Sequence, residues 1–331
     1  MRVLQVSAIF QSTQEFRATN LQESSETLLV DGLRESGVTV ETRGHALRND
    51  WDDFDVVHIH HLANSCVSLF LPQRAKIVFT RHATMAVPFH HRVVLRRTHA
   101  RSDAVVVLSD VEQAHVGRTV PEDRIHLIRN GLNGANFPRS LRVAPVGGEP
   151  WKFVYVGQLI ELKRVELAIR LISDLVRDGH NVQLEIVSHR DTLRKNLENL
   201  AVELGVSQRI SFLGPRTRGD LGTILTGSHI LVLPSRTEAL PTVVTEAVFS
   251  GLPVAAFQVG GISEQLPTAV VLPQIHDYPG FRNLVRTQIG DYTAVAGAFY
   301  FHSQDSRMKF STDGMVQGHS NLYERIIEAR N

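Results

Sequence analysis

Cysteine is almost missing from this chain. Cys66 is the single one in 331 residues, so no internal disulfide can form and a reducing, cytoplasmic compartment is expected. Long apolar runs are missing too: no segment approaches the ~18 uninterrupted apolar residues of a membrane-spanning helix. The start "MRVLQVSAIFQ" turns polar too soon for a secretory signal. Charge of one sign is also lacking, since 35 Lys and Arg stand against 34 Asp and Glu. That balance speaks against nucleic acid as a partner. Neither GxGxxG after the first strand nor GxxxxGK[ST] occurs, which argues against dinucleotide dehydrogenases and P-loop enzymes. No internal repeat or low-complexity tract is visible. Arginine far outnumbers lysine, a bias of GC-rich bacterial genomes that carries no chemistry.

What is present is alternation. Short runs rich in Val, Ile and Leu recur between longer amphipathic segments. In the first half they are "RVLQVSAI", "DVVHIHH", "KIVFTRH", "AVVVLS" and "IHLIRNG". In the second they are "KFVYVGQL", "VQLEIVS", "ISFLG", "HILVLPS" and "PVAAFQV". Apolar runs of this length without strict alternation predict parallel strands covered on both faces. "SSETLLVDGLRESG" and "RVELAIRLISDLVRDG" predict helices closed by Gly37 and Gly179. The fold class is therefore α/β, with two doubly wound sheets. Domains are expected over 1–140 and 150–305, joined by the Pro- and Gly-rich "PRSLRVAPVGGEP" (138–150), with a helical tail over 306–331. Sheets of this kind bind ligands in a crevice at the carboxyl ends of their strands.

One stretch carries chemistry. In "SRTEALPTVVTEAVFSGLPVAAFQVGGISE" two carboxylates, Glu238 and Glu246, flank a helix start. Pro241 suits the first helical position, and Leu240 before it is a poor N-cap. The N–H groups of Thr242 and Val243 would then point toward an anion such as phosphate. Glu238 and Glu246 would accept hydrogen bonds from sugar hydroxyls on either side of it.

"E-ALPTVVT-E" followed by "SGLPV" and "GGISE" resembles the E-x7-E signature of the family 4 retaining glycosyltransferases of GT-B fold. "FVYVGQLIELKRVELAI" is similar to that family's G-R-L-x-x-x-K-G element, and "NLYERII" to its closing helix. The resemblance implies two Rossmann-like domains facing a cleft, the first for the acceptor and the second for the donor. It also implies a C-terminal helix that returns to the first domain. It implies that Lys163 neutralises the donor diphosphate, that Glu246 bonds the ribose, and that Glu238 contacts the transferred sugar. Gly157, Gln158 and the backbone of Ala239, Leu240, Pro241 and Thr242 complete the implied donor site. His82 matches a first-domain histidine facing the donor sugar.

Two positions depart from the pattern. Gln158 stands where the family has an arginine, and Arg164 where it has a glycine. Lys163 would carry the phosphate charge alone unless Arg164 or Arg190 turns inward. The glycine pair of the family's first loop is missing from "FQSTQEFRATNLQESS".

The function implied is metal-independent transfer, with retention, of a hexose or N-acetylhexosamine from a nucleotide sugar, UDP-linked, to a hydroxyl acceptor. The acceptor would be a glycan, a lipid-linked saccharide or a small molecule, and no further cofactor is expected. A UDP-sugar 2-epimerase and a non-catalytic nucleotide-sugar binder are the alternatives. "FHHRVVLRRTHARSD" predicts a basic helix whose Arg92 and Arg96 lie one turn apart. It reads as a solvated face, or as a contact to a phosphorylated acceptor or to anionic lipid at the inner membrane face. The D-x-D patterns of "NDWDDFD" are a weak metal signal. His58 and His60 share a strand face, with His61 adjacent, and lack a third zinc ligand. Cys66 reads as a small buried hydrophobe.

Overall fold

The structure is a computed structural model that describes residues 1–11, 24–44, 53–61, 76–82 and 89–329. It divides into two compact units, Met1–Asn133 with Lys309–Asn331, and Gly134–Met308.

The first unit holds a six-stranded sheet: β1 (Arg2–Val6), β2 (Thr39–Arg43), β3 (Val56–His60), β4 (Lys76–Thr80), β5 (Ala104–Val107) and β6 (Ile125–Leu127). Their order is β2-β1-β3-β4-β5-β6, every pairing parallel. α1 (Ser25–Glu35), α2 (Phe89–Arg101) and α3 (Asp110–Val116) lie between strands. α1 starts at a capping box in which Ser24 and Thr27 bond each other reciprocally. Alternate residues serve opposite faces: Leu4, Val57, Ile77 and Val105 pack in one cluster, Val3, Val56, Val78 and Val106 in the other. The second cluster is closed by Met315, Val316, Leu322 and Tyr323 of α10 (Thr312–Glu328). The C-terminal helix thus packs on the first sheet.

The second unit holds five parallel strands: β7 (Trp151–Val156), β8 (Val182–Val187), β9 (Ile210–Gly214), β10 (Ile230–Leu233) and β11 (Val254–Ala256). Their order is β11-β10-β7-β8-β9. α4 (Val165–Arg177), α5 (Arg194–Glu203), α6 (Arg218–Gly227) and α7 (Thr242–Phe249) are the crossovers. α8 (Tyr278–Gly290) and α9 (Tyr292–Lys309) follow. No helix among the described residues is long and apolar enough to cross a membrane.

The units meet in sequence at Asn133 and Gly134, and segment 138–150 is anchored on the second unit. Arg142 is the reason. Its buried guanidinium donates to the carbonyls of Thr226 and Ser250, at the ends of α6 and α7, the latter at 3.0 Å. Those helix-end carbonyls have no intrahelical partner of their own. Arg142→Met is expected to cost about 2 kcal/mol, the worth of a charged donor. That corresponds to roughly 4–8 °C in the melting temperature of a unit this size, read by circular dichroism.

Candidate functional site

The E-x7-E segment lies between β10 and β11. α7 begins at Thr242, with Pro241 as its N-cap in extended backbone and no side chain capping the start. The sequence expectation is therefore corrected by one residue: Pro241 precedes the first helical position. Its ring still suits the spot, because φ is −68° and the carbonyl accepts from Val244 N at 3.1 Å. The positive end of the helix dipole lies at this start, three residues after Glu238.

Lys163 closes a short 3₁₀ turn, Glu161–Lys163, after β7. The turn is tied to the E-x7-E loop through Arg236 N, which donates to Leu162 O at 2.8 Å. That places Lys163 Nζ 2.6 Å from Glu238 Oε1 across 75 residues of sequence. Glu238 is 7% exposed, so the pair is largely shielded from water. Glu246 is 2% exposed and paired with Arg218, the first residue of α6. Sequence reading missed Arg218, because nothing local connects it to a glutamate on the next crossover helix.

Gly157 sits where a Cβ would lie 2.7 Å from the Tyr155 hydroxyl. That hydroxyl donates to Gln158 O at 2.9 Å and so shapes the loop after β7. Burial, helped by the Glu238 and Glu166 charges, pushes the Tyr155 phenol well above its ordinary range. The Gln158 amide meets His189 Nε2 at 3.3 Å. Arg164 does not turn toward Lys163. Its guanidinium donates to Ile275 O at 2.6 Å and lies 5.1 Å from the centre of the Phe257 ring. Arg190 is exposed, and its carbonyl accepts from Leu159 N at 2.8 Å. Ala239 and Thr242 are half-buried and Leu240 is buried.

His82 belongs to the first unit and lies just beyond β4. There β3, β4, α1 and α10 bring together a polar cluster. His58 and His60 do share a face, the one covered by α10. His58 Nδ1 is 2.6 Å from Tyr323 Oη, and His58 Nε2 is 2.6 Å from Thr80 Oγ1. His60 Nε2 is 2.6 Å from Gln5 Oε1, and the Gln5 amide donates to Tyr323 Oη at 3.0 Å. His60 Nδ1 meets His82 Nε2 at 3.1 Å. His61, at φ 65°, places its Nε2 2.7 Å from Glu26 Oε1.

Burial pushes His58 and His60 well below the ordinary histidine range, and the neighbouring histidines add to it, against the pull of Glu26 on His60. Burial also pushes His82 down to about 4, against the pull of Glu26. For Glu26 burial acts upward, yet the His61 hydrogen bond and the His82 and His60 charges outweigh it and hold the carboxyl below its ordinary value. Burial thus favours the neutral form of His58, His60 and His82 beside the Glu26 carboxylate. Glu26, Gln5, Tyr323 and His319 were not legible as members from sequence, since only the fold joins their elements.

Arg92, Arg96 and Arg97 are exposed on α2. Asp55 accepts from Arg2 N at 2.7 Å, an ordinary turn contact. Cys66, residues 12–23 and residues 49–52 of the D-x-D region lie outside the described residues.

Two family matches fall largely one in each unit. Residues 137–271 match the family described as Glycosyl transferases group 1, and residues 33–135 match Glycosyltransferase Family 4. The sucrose-phosphate synthase of Thermosynechococcus elongatus superposes with a TM-score of 0.83 at 16% identity, over 99% of this chain and 100% of that one. Anabaena HepE, in complex with UDP and glucose, superposes at 0.78 and 16% identity, over 98% and 100%. The fold is the GT-B fold, and each unit carries a segment that matches a glycosyltransferase family. An uncharacterized glycosyltransferase of Methanocaldococcus jannaschii is 31% identical over 153 residues, 44% of this chain and 39% of that protein. The D-inositol 3-phosphate glycosyltransferase of Corynebacterium efficiens is 26% identical over 247 residues, 66% and 57%. The chain thus spans between about two fifths and three fifths of the length of these relatives.

Proposed function

We propose that this chain transfers, with retention, a hexose or N-acetylhexosamine from a UDP-sugar to a hydroxyl acceptor, with no metal ion in the diphosphate chemistry. The observation that carries the reading is the ammonium of Lys163 held 2.6 Å from Glu238 beside an uncapped helix start. Transfer leaves a nucleoside diphosphate on which negative charge builds. Lys163 and the N–H groups of α7 are fixed positive ends for that charge, which is the largest catalytic contribution in reactions of this kind. Glu238 would take a sugar hydroxyl and Glu246 the ribose hydroxyls, with Arg218 orienting the Glu246 carboxylate. The departing phosphate would assist the acceptor hydroxyl on the same face. Glu238 is assigned no covalent role.

UDP is chosen because the superposed HepE structure holds UDP and glucose. The curated relatives named for D-inositol 3-phosphate make a phosphorylated polyol the first acceptor to assay. Arg92 and Arg96 are proposed contacts for such a phosphate, or for a lipid-linked acceptor.

A thermal-shift series with UDP, GDP and ADP and their sugars tests the donor. UDP and a UDP-sugar are expected to raise the melting temperature, because a ligand selective for the folded state stabilises it. The rise should vanish in Glu246→Ala. A UDP response unchanged in that variant, or no response to any nucleotide, would overturn the reading.

A further inference from the structure

Glu26, His60 and His82 each offer one ligand atom, and these atoms lie within 4.8 Å of one another. They come from the start of α1 and the ends of β3 and β4. We propose that these three side chains form a binding site for one divalent transition-metal ion, with zinc the best match to two imidazoles and a carboxylate.

Four observations carry it. First, the tautomer of His60 is set by its surroundings. Gln5 commits its amide N–H to Tyr323, so its Oε1 accepts from His60 Nε2–H at 2.6 Å. His60 then turns an unprotonated Nδ1 toward His82, the outer-shell orientation typical of metal-bound histidine. Second, the spacing fits. Two nitrogens at ~2.0–2.1 Å from one ion are about 2.9–3.4 Å apart, for angles between a right angle and the tetrahedral value. Nδ1 of His60 and Nε2 of His82 are 3.1 Å apart. Third, the carboxylate is held in place, since His61 bonds Glu26 Oε1 at 2.7 Å.

Fourth, the room is right. A cavity of about 10 Å³ is lined by Glu26, His60, His82 and His319, enough for a single water-sized sphere. His319 is 4% exposed and donates from Nδ1 to Met315 O at 2.8 Å. Its Nε2 is buried without a hydrogen-bond partner among the described residues. A water in the open fourth position of such an ion would find its acceptor there. The ion is given no part in the diphosphate chemistry of the second unit. It would clamp α1 to two strand ends of the first.

The experiment uses the full chain, stripped with a chelator and dialysed. Zinc is titrated by calorimetry, and Co²⁺ is followed by visible absorption as a probe of imidazole and carboxylate ligation. One tight equivalent of zinc and a four-coordinate cobalt spectrum are expected, with a melting temperature raised by about 5 °C at hundredfold excess over Kd. Glu26→Gln and His82→Ala should each weaken zinc at least a hundredfold, and His61→Asn about tenfold, as expected of a group that orients a ligand. His276→Asn, exposed on the second unit, should change nothing. His82 is half-buried, so His82→Ala decides the matter if Glu26→Gln fails to fold. Wild-type protein that binds no more zinc than His82→Ala, or a cobalt spectrum untouched by either ligand variant, overturns the proposal.

Discussion

Lys163→Ala is expected to slow UDP-sugar turnover about 10²–10³-fold, the loss seen when one donor to a developing negative charge is removed. The lysine has two partners in this reading, the leaving diphosphate and Glu238. An ion pair that did nothing but hold the loop would also be felt on losing its lysine, since a carboxylate only 7% exposed is then left without its ammonium. The loss in the single variant therefore does not by itself assign Lys163 to the chemistry. The double variant Lys163→Ala with Glu238→Gln separates the two roles. If the pair is only structural, removing both partners restores much of the rate, because no carboxylate is left buried without its ammonium. If each side chain grips a different part of the donor, the two losses add and the double variant is slower than either single one. Steady-state kinetics with UDP-glucose and UDP-N-acetylglucosamine, checked against melting curves of all three variants, reads the difference. Recovery in the double variant would remove Lys163 from the chemistry.

The fold was more legible than the site, for a physical reason. A strand buried on both faces writes its environment into a continuous apolar run, and the ten such runs are strands or contain one. β2 escaped because it is an edge strand: "TVETR" alternates exposed and buried residues and carries charge. The helix start was visible to within one residue because Pro241 and the lack of a capping side chain are local. The pairing of Lys163 with Glu238 was not local, and neither was that of Arg218 with Glu246. The first depends on parallel order, which sets the loop after β7 beside the loop after β10; the second joins the helices that follow β9 and β10, strands that are not neighbours in the sheet. Likewise "HIHH" announced two histidines on one face. Only the packing of α1 and α10 against that face shows that they meet a glutamate and a third and fourth imidazole. Residues that act together across parallel strands leave no spacing in the sequence to read.

Gly260→Ala is expected to destabilise the second unit and weaken the donor together. Gly260 has φ 54°, and a Cβ there would lie 2.2 Å from Glu238 O and 2.7 Å from Ala239 O. Both obstacles are backbone, so no side chain can swing aside. The left-handed conformation costs a non-glycine residue about 1 kcal/mol and overpacking a further 1–3 kcal/mol. The sum, about 2–4 kcal/mol, corresponds to a fall of roughly 5–15 °C in melting temperature for a unit of this size. The chain has one cheap way out, which is to push the 238–240 loop away. That would also break the bond from Gly261 N to Ala239 O, 2.7 Å long, and draw Glu238 from Lys163. Buried Gln265, which donates to Pro241 O at 3.0 Å and to Thr245 Oγ1, ties the same glycine turn to the start of α7. Loss of stability and loss of UDP-sugar affinity should therefore appear in one variant, by at least about tenfold in Kd, or 1.4 kcal/mol. Gly227→Ala is the control, since a Cβ there meets nothing within 4 Å. A Gly260→Ala protein that melts with wild type, or that melts early yet binds the donor unchanged, would show that this turn does not position Glu238.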